Sequence, residues 1–250
     1  MKIFSINPIF VLIAVFTGSI YSCSQQEGIG GNSNIKGKIM VNYYNDDFSL
    51  LLSDKPVPAK DEDVYIIYGN DSTIGDKTTT SYTGDFEFTY LWPGKYKIYY
   101  YTKDSTGIYP DKIEKVKSIT LGKNETVTTE NLTINKSLNW DEGTSSIKGT
   151  IWVINYKNTS TYPDLKVKDI TRVQDQDVYI QYGKHPFYEK RIATSSDGTF
   201  LFQNLIKGSY KIFYYSEDIT GHTAMIVKEK TIEIKEDYQY VEIKDTIEKL

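Results

Sequence analysis

Apolar and polar residues alternate in short runs along most of the chain, and one arrangement of such runs occurs twice. Residues 84 to 101 read G-D-F-E-F-T-Y-L-W-P-G-K-Y-K-I-Y-Y-Y, and residues 198 to 215 read G-T-F-L-F-Q-N-L-I-K-G-S-Y-K-I-F-Y-Y. Period-two alternation sends successive side chains to opposite faces of a strand, so each stretch predicts two strands. A glycine turn joins them, and the unit reads as a β-hairpin. In the first copy Phe86, Phe88 and Tyr90 are expected to point inward and Leu91 to plug the corner. Pro93-Gly94 turns the chain through proline's fixed φ and a glycine at positive φ. Tyr96, Ile98 and Tyr100 return on one face.

Weaker alternating runs flank this unit. Ile35 to Val41 predicts a first strand, and Val64, Ile66 and Tyr68 form the inward face of a second. Thr78 to Tyr82 reads as a polar edge strand, and Val116 to Leu121 and Thr126 to Ile134 as closing strands. Seven short strands separated by turn signals describe a β-sandwich. The same order returns later: Ile147 lies 112 residues after Ile35, and Asp177 and Gly198 lie 114 after Asp63 and Gly84. The repeat is the main organising fact of the sequence. It predicts an all-β chain with sandwiches at residues 35–136 and 147–250, joined by a polar linker at 137–146. Trp140 within that linker either packs where the domains meet or is exposed.

Composition agrees with this pattern and narrows the partners. The 250 residues include 22 Tyr, and Tyr, Val, Ile and Thr favour pleated surfaces. Each repeat is long enough to bury roughly 60 to 70% of its unfolded surface, so neither needs a staple. The formal net charge is −4, with no run of Lys or Arg, which argues against nucleic acid as a partner.

The lone cysteine, Cys23, excludes an internal disulfide framework. Ahead of it stand Lys2, an apolar run from Ile9 to Phe16, and then Ile20-Tyr21-Ser22-Cys23. The apolar run is too short to span a bilayer. The tetrapeptide resembles the lipobox of bacterial lipoproteins, although Tyr21 is bulkier than that pattern usually holds. The resemblance implies a signal peptide over residues 1–22 and a lipidated Cys23. It further implies a membrane tether with two or three acyl chains, each buried CH₂ contributing about 0.8 kcal/mol. Residues 23–34, rich in Gly, Ser, Asn and Gln, are expected to be a flexible tether. The expected location is the cell envelope, lipid-anchored at the outer membrane, on either its periplasmic or its surface side.

The segment from Tyr82 to Ile98 is similar to the signature of carboxypeptidase regulatory-like, transthyretin-like β-sandwich domains. The shared pattern is Gly, x, Phe, x, Phe, two residues, Leu, x, Pro-Gly, x, Tyr, x, aliphatic. This resemblance implies a fold and no chemistry. Some Gram-positive relatives of this sandwich carry a Lys–Asn isopeptide bond. In the first repeat the pairs on offer are Lys36 or Lys38 with Asn131 or Asn135, and the second repeat has no Asn in its last strand. Asp71-Ser72-Thr73, Asp104-Ser105-Thr106 and Asp245-Thr246-Ile247 resemble a short O-glycosylation motif of Bacteroidetes-type bacteria.

Candidate chemistry is sparse. His185 and His222 occur only in the second repeat and lack metal-ligand spacing, so they read as loop histidines. No nucleophile elbow is present, and a lipidated cysteine is no nucleophile. Asp61-Glu62-Asp63 and Asp175-Gln176-Asp177 read as solvated strand entries rather than calcium ligands. The turns at Asp104 and Asp218 are explained by Asp and Gly turn chemistry. No cofactor or metal is expected. What is left is aromatic: Tyr99, Tyr101, Phe213 and Tyr215 fall on the face opposite the core, as a candidate binding surface if nothing covers them. The expectation is a non-enzymatic envelope protein that acts as a spacer or protein-interaction module. The alternatives are glycan binding through the aromatics and service as accessory to a separately encoded peptidase.

Overall fold

The computed structural model describes residues 26–106 and 112–250; the expected signal peptide over residues 1–22 and Cys23 lie outside the described residues. The described chain is all-β, with no helix among its elements. The first repeat contains β1 (Ile29–Asn45), β2 (Val57–Pro58), β3 (Asp63–Tyr68), β4 (Asp76–Thr79), β5 (Asp85–Leu91), β6 (Gly94–Thr102), β7 (Ile113–Leu121), β8 (Thr126–Thr128) and β9 (Leu132–Leu138). The second contains β10 (Ser145–Tyr156), β11 (Val167–Arg172), β12 (Asp177–Tyr182), β13 (Lys190–Ala193), β14 (Thr199–Leu205), β15 (Gly208–Glu217), β16 (Met225–Ile234) and β17 (Tyr240–Lys249).

Each repeat is a sandwich of two sheets. In the first, β1 is flanked by β5 and β2 on one side and by β8 and β9 on the other, while the second sheet runs β4-β3-β6-β7. The second repeat has β10 between β17 and the pair β11 and β14, with β13-β12-β15-β16 opposite. The last strands β9 and β17 run parallel to the first strands β1 and β10.

This topology corrects the hairpin. β5 pairs with β1 and β6 pairs with β3 and β7, so the two runs of the signature stretch belong to opposite sheets. Phe86 and Phe88 meet Tyr96 and Ile98 across one core rather than side by side. Alternation dictates which residues face inward, and it is satisfied equally by a neighbour in the same sheet or by one across the core. The corner also departs from expectation. Tyr90 has φ 57° and is 67% exposed, and its counterpart Asn204 has φ 60°. One residue in the left-handed region interrupts the alternation, so Leu91 takes the inward place and Tyr90 turns out. Gly94 is not at positive φ, so the corner is set at Tyr90 instead.

Buried tyrosines pin the corners. Tyr96 Oη donates to the Trp92 carbonyl at 2.6 Å, and Tyr210 Oη donates to Ile206 O at 3.0 Å. Burial pushes both phenols above their ordinary pKa. Gly37 and Gly149 lie under the inward phenylalanines: a Cβ on either would come within 2.3 Å and 2.0 Å of the Phe86 and Phe200 rings.

The boundaries differ from the sequence reading at both linkers. β1 begins at Ile29, and Ser33 is fully buried, so residues 29–34 are strand and not tether. Their glycines sit where the chain presses on its neighbours: a Cβ at Gly31 would fall 2.1 Å from the Leu91 carbonyl. Between the repeats, β9 ends at Leu138 and β10 starts at Ser145. Trp140 packs against the second core, where its carbonyl accepts from Ile206 N and Tyr210 Oη, both at 3.1 Å.

A loop of the first repeat completes this joint. Leu52, 7% exposed, belongs to the second repeat's core cluster, and Tyr43 packs against both cores. Next to them, His185 Nε2 lies 3.4 Å from Asp46 while its Nδ1 meets Glu189. His185 is therefore a bridge between the repeats rather than a free loop side chain.

Candidate binding surface

The outward aromatics sit on the second sheet of each repeat. Inward Val64 and Ile66 on β3 leave Tyr65 facing out, next to Tyr99 across the ladder. The second repeat places Tyr179 beside Phe213 in the same way. Of the four residues singled out in the sequence, Tyr99 and Phe213 are half-buried, while Tyr101 and Tyr215 are 39% and 38% exposed.

The two faces share a frame and differ in finish. In the second repeat Tyr179 stacks on Phe213 at 4.9 Å with 9° between the planes, and Tyr215 and Tyr188 stand edge-on to Tyr179 at 6.0 and 5.0 Å. Arg191 Nη1 binds Asp177 at 2.9 Å beside this cluster, and that carboxylate holds the guanidinium above its ordinary pKa. In the first repeat Tyr65 meets Tyr101 edge-on at 6.0 Å. Tyr65 Oη donates to Asp63 at 3.0 Å, Lys77 Nζ binds the same carboxylate at 3.0 Å, and Lys77 sits 5.9 Å above the Tyr65 ring. Hydrogen bonding from Lys77 holds the Asp63 carboxyl low, and the bond to Asp63 raises the Tyr65 phenol.

Asp63, Tyr65, Lys77 and Tyr101 thus correspond to Asp177, Tyr179, Arg191 and Tyr215, each 114 residues later. Sequence reasoning took the outward pair Tyr99 and Tyr101 from β6 but passed over Tyr65, Tyr179 and Tyr188. The signal for the first two was present, since each alternates with inward residues on a repeated strand. Tyr188 lies in a loop with no counterpart pattern.

Several of the other residues considered in the sequence are held in local contacts. Asp104 and Asp218 are buried turn acceptors: Thr106 N donates to Asp104 at 2.8 Å, and Thr220 N and Thr223 N each donate to Asp218 at 2.9 Å. Hydrogen bonds, first from the Thr220 hydroxyl, hold the Asp218 carboxyl well below the usual range. His222 Nδ1 contacts the Thr220 hydroxyl at 2.6 Å within this exposed turn. Lys36 and Lys38 are engaged by Glu87 and Asp85 at 3.1 Å each, and Asn135 by Asn42 at 3.3 Å. Among the described residues, no group of three or more His, Cys, Asp or Glu is placed to hold a metal ion.

No protein-family model matches the chain, and no curated protein matches it. Among solved structures, the Bacillus anthracis TIE protein is 17% identical over 90% of this chain and 35% of its own, with a TM-score of 0.31. This chain therefore spans about a third of that protein's length. GBS52, the minor pilin of Streptococcus agalactiae, is 12% identical over 87% of this chain and 96% of its own, with a TM-score of 0.32. Shaft pilin SpaA of Lactobacillus rhamnosus GG is 9% identical over 87% and 98%, with a TM-score of 0.29. Likeness at this level carries no residue role to the present chain.

Proposed function

We propose that this chain is a non-enzymatic, lipid-anchored cell-envelope protein in which two sandwiches form a stiff spacer that presents the second repeat to a protein partner. The observation that carries the reading is the joint. Leu52 from the first repeat fills the core of the second, Trp140 is tied by its carbonyl to Tyr210 and Ile206, and Asp46 reaches His185. Tandem domains that need independent motion are joined by exposed linkers, whereas a shared apolar joint transmits orientation. The stacked Tyr179–Phe213 cluster with exposed Tyr188 offers a partner rigid aromatic area at little entropic cost.

Two measurements test the reading. Cys23→Ala is expected to move the protein from the membrane to the soluble fraction and to abolish incorporation of labelled fatty acid; unchanged fractionation without labelling removes the anchor. Small-angle scattering of residues 24–250 is expected to give one extended shape that stays fixed from low to high salt. A broad distribution of inter-repeat distances refutes the spacer.

A further inference from the structure

The polar rim of the joint between the repeats turns on one imidazole. The backbone of His185 is fixed to the second repeat: its N–H donates to the Tyr182 carbonyl at 3.1 Å, and its carbonyl accepts from the Gln181 side chain. Its ring stands edge-on to Tyr182 at 5.6 Å, with Nδ1 on Glu189 and Nε2 3.4 Å from Asp46 of the first repeat. We infer that His185 is a proton-operated latch on this joint: protonated, it ties the loop after β1 to the second repeat, and deprotonated, it releases that loop.

A neutral imidazole carries one N–H and one lone pair, whereas the imidazolium carries two N–H groups. Each ring nitrogen of His185 faces a carboxylate, so either neutral tautomer directs a lone pair at one of them, and only the cation suits both. The charges that act on the ring are negative: Glu189, immediately before β13, and Asp46 and Asp47 from the loop after β1. Tyr182 of β12 adds a phenol that burial pushes up to about 12, so it stays neutral. Lys184 and Lys190, the nearest cations in sequence, are exposed. Loss of the proton leaves carboxylates of the two repeats facing one another with no charge on the ring between them.

The loop that carries Asp46 also carries the apolar plug of the joint. Asn45 N donates to Leu50 O at 3.0 Å, Leu50 N donates to Asn45 Oδ1 at 2.9 Å, and Leu52 N donates to Tyr43 O at 2.8 Å, so Asp46 and Leu52 sit on one closed turn. Leu52 is the side chain that this turn places in the second core. Release of Asp46 and loosening of Leu52 are therefore coupled. The closed joint holds the His185 proton more tightly than the open one. Its stabilisation is full below the ordinary imidazole value of about 6.5 and is lost as pH rises through the higher value of the closed joint. The inference rests on the reading of the joint as stiff and adds its regulation: one orientation at acid pH, and freedom gained as pH rises.

The test follows the lipid-free chain, residues 24–250, from pH 5.5 to 8.5 by hydrogen exchange, corrected for the intrinsic pH dependence of amide exchange. Protection of the amides of residues 45–52 is expected to fall by at least about threefold across this range, while that of residues 85–91 in the first core stays level. The midpoint is expected to coincide with the His185 imidazole titration read by NMR, for which His222→Gln leaves His185 as the one histidine of the chain. In His185→Gln, protection of residues 45–52 is expected to stay at its pH 8.5 level throughout; Asp46→Asn is expected to lower the His185 midpoint and flatten the curve. Small-angle scattering of the parent at both ends of the range separates this inference from the reading beneath it. A narrow inter-repeat distribution at both pH values with level protection overturns the latch and leaves the spacer standing, whereas a broad distribution at pH 5.5 overturns both. A His185 midpoint at or below 6.5, or a full pH response in His185→Gln, also overturns the latch.

Discussion

Leu52→Ala tests the joint between the repeats more directly than any other single change. Leu52 is covalently part of the first repeat, and its N–H bonds to the Tyr43 carbonyl at 2.8 Å, which fixes its loop from that side. Its side chain, 7% exposed, lies among the core residues of the second repeat. Truncating a buried leucine removes its transfer free energy and leaves a cavity, together about 2–5 kcal/mol. Because one wall of this site is a loop that can settle inward, the lower part of that range applies, about 2–3 kcal/mol. For a unit of this size that corresponds to a fall in Tm of roughly 10–20 °C. The informative feature is where the loss appears. Hydrogen exchange read by mass spectrometry during urea unfolding should show lost protection in peptides from residues 147–250, although the substitution is at position 52. Loss confined to peptides from residues 35–136, or a total change below about 0.5 kcal/mol, would refute the reasoning.

Three further outcomes follow from the geometry. The His185 imidazole is held above its ordinary pKa, first by Glu189 and then by the carboxylates of Asp46 and Asp47, against an opposing effect of burial. A raised folded pKa means the stabilisation is fully present below the unfolded value of about 6.5 and is lost as pH rises through the folded value. The urea midpoint should therefore fall between pH 6 and 8.5 in the parent and do so less in His185→Gln. Tyr210→Phe removes the hydroxyl shared between Ile206 O and Trp140 O, and should cost about 1–1.5 kcal/mol by urea unfolding; a cost near zero would show that the corner holds without it. Gly149→Ala forces a Cβ to 2.0 Å from the Phe200 ring, and calorimetric melting should report a loss of about 1–3 kcal/mol, partly relieved when Phe200→Leu is added.

The sequence made the sandwich, the repeat and the inward faces legible because alternation is a local property. Phe86, Phe88, Ile98, Phe200, Phe202 and Ile212 are all buried as their positions require. Which strands pair is not local. A corner of two or three residues serves a hairpin and an inter-sheet crossing equally well, and only the partners β1 and β3, far away in sequence, decide between them. Tyr90 was misplaced for a related reason: one left-handed residue moves the next position inward without altering the printed pattern. The joint was concealed inside a stretch that reads as a polar loop, although Leu50-Leu51-Leu52 is an apolar run with no strand to account for it. A cleft of the first repeat draws Glu62 from the entry to β3, Tyr101 from β6 and Asn135 from β9, and no spacing along the chain encodes their meeting.

The parallel pairing of first and last strands also determines how each repeat carries load. β1 and β9 run side by side in register from Ile39 with Leu132 to Asn45 with Leu138, and β10 and β17 do so from Ser146 with Tyr240 to Asn155 with Lys249. Tension that draws the start of one strand and the end of its parallel neighbour apart slides them lengthwise. Every hydrogen bond of the ladder is then strained at once, whereas strands peeled from one end surrender their bonds one after another. A chain pulled by its two ends meets this shearing geometry twice in series, so its resistance to stretching is set by the rate at which a whole ladder fails. Under such a pull the strength of each repeat resides in its terminal strands and not in its aromatic core.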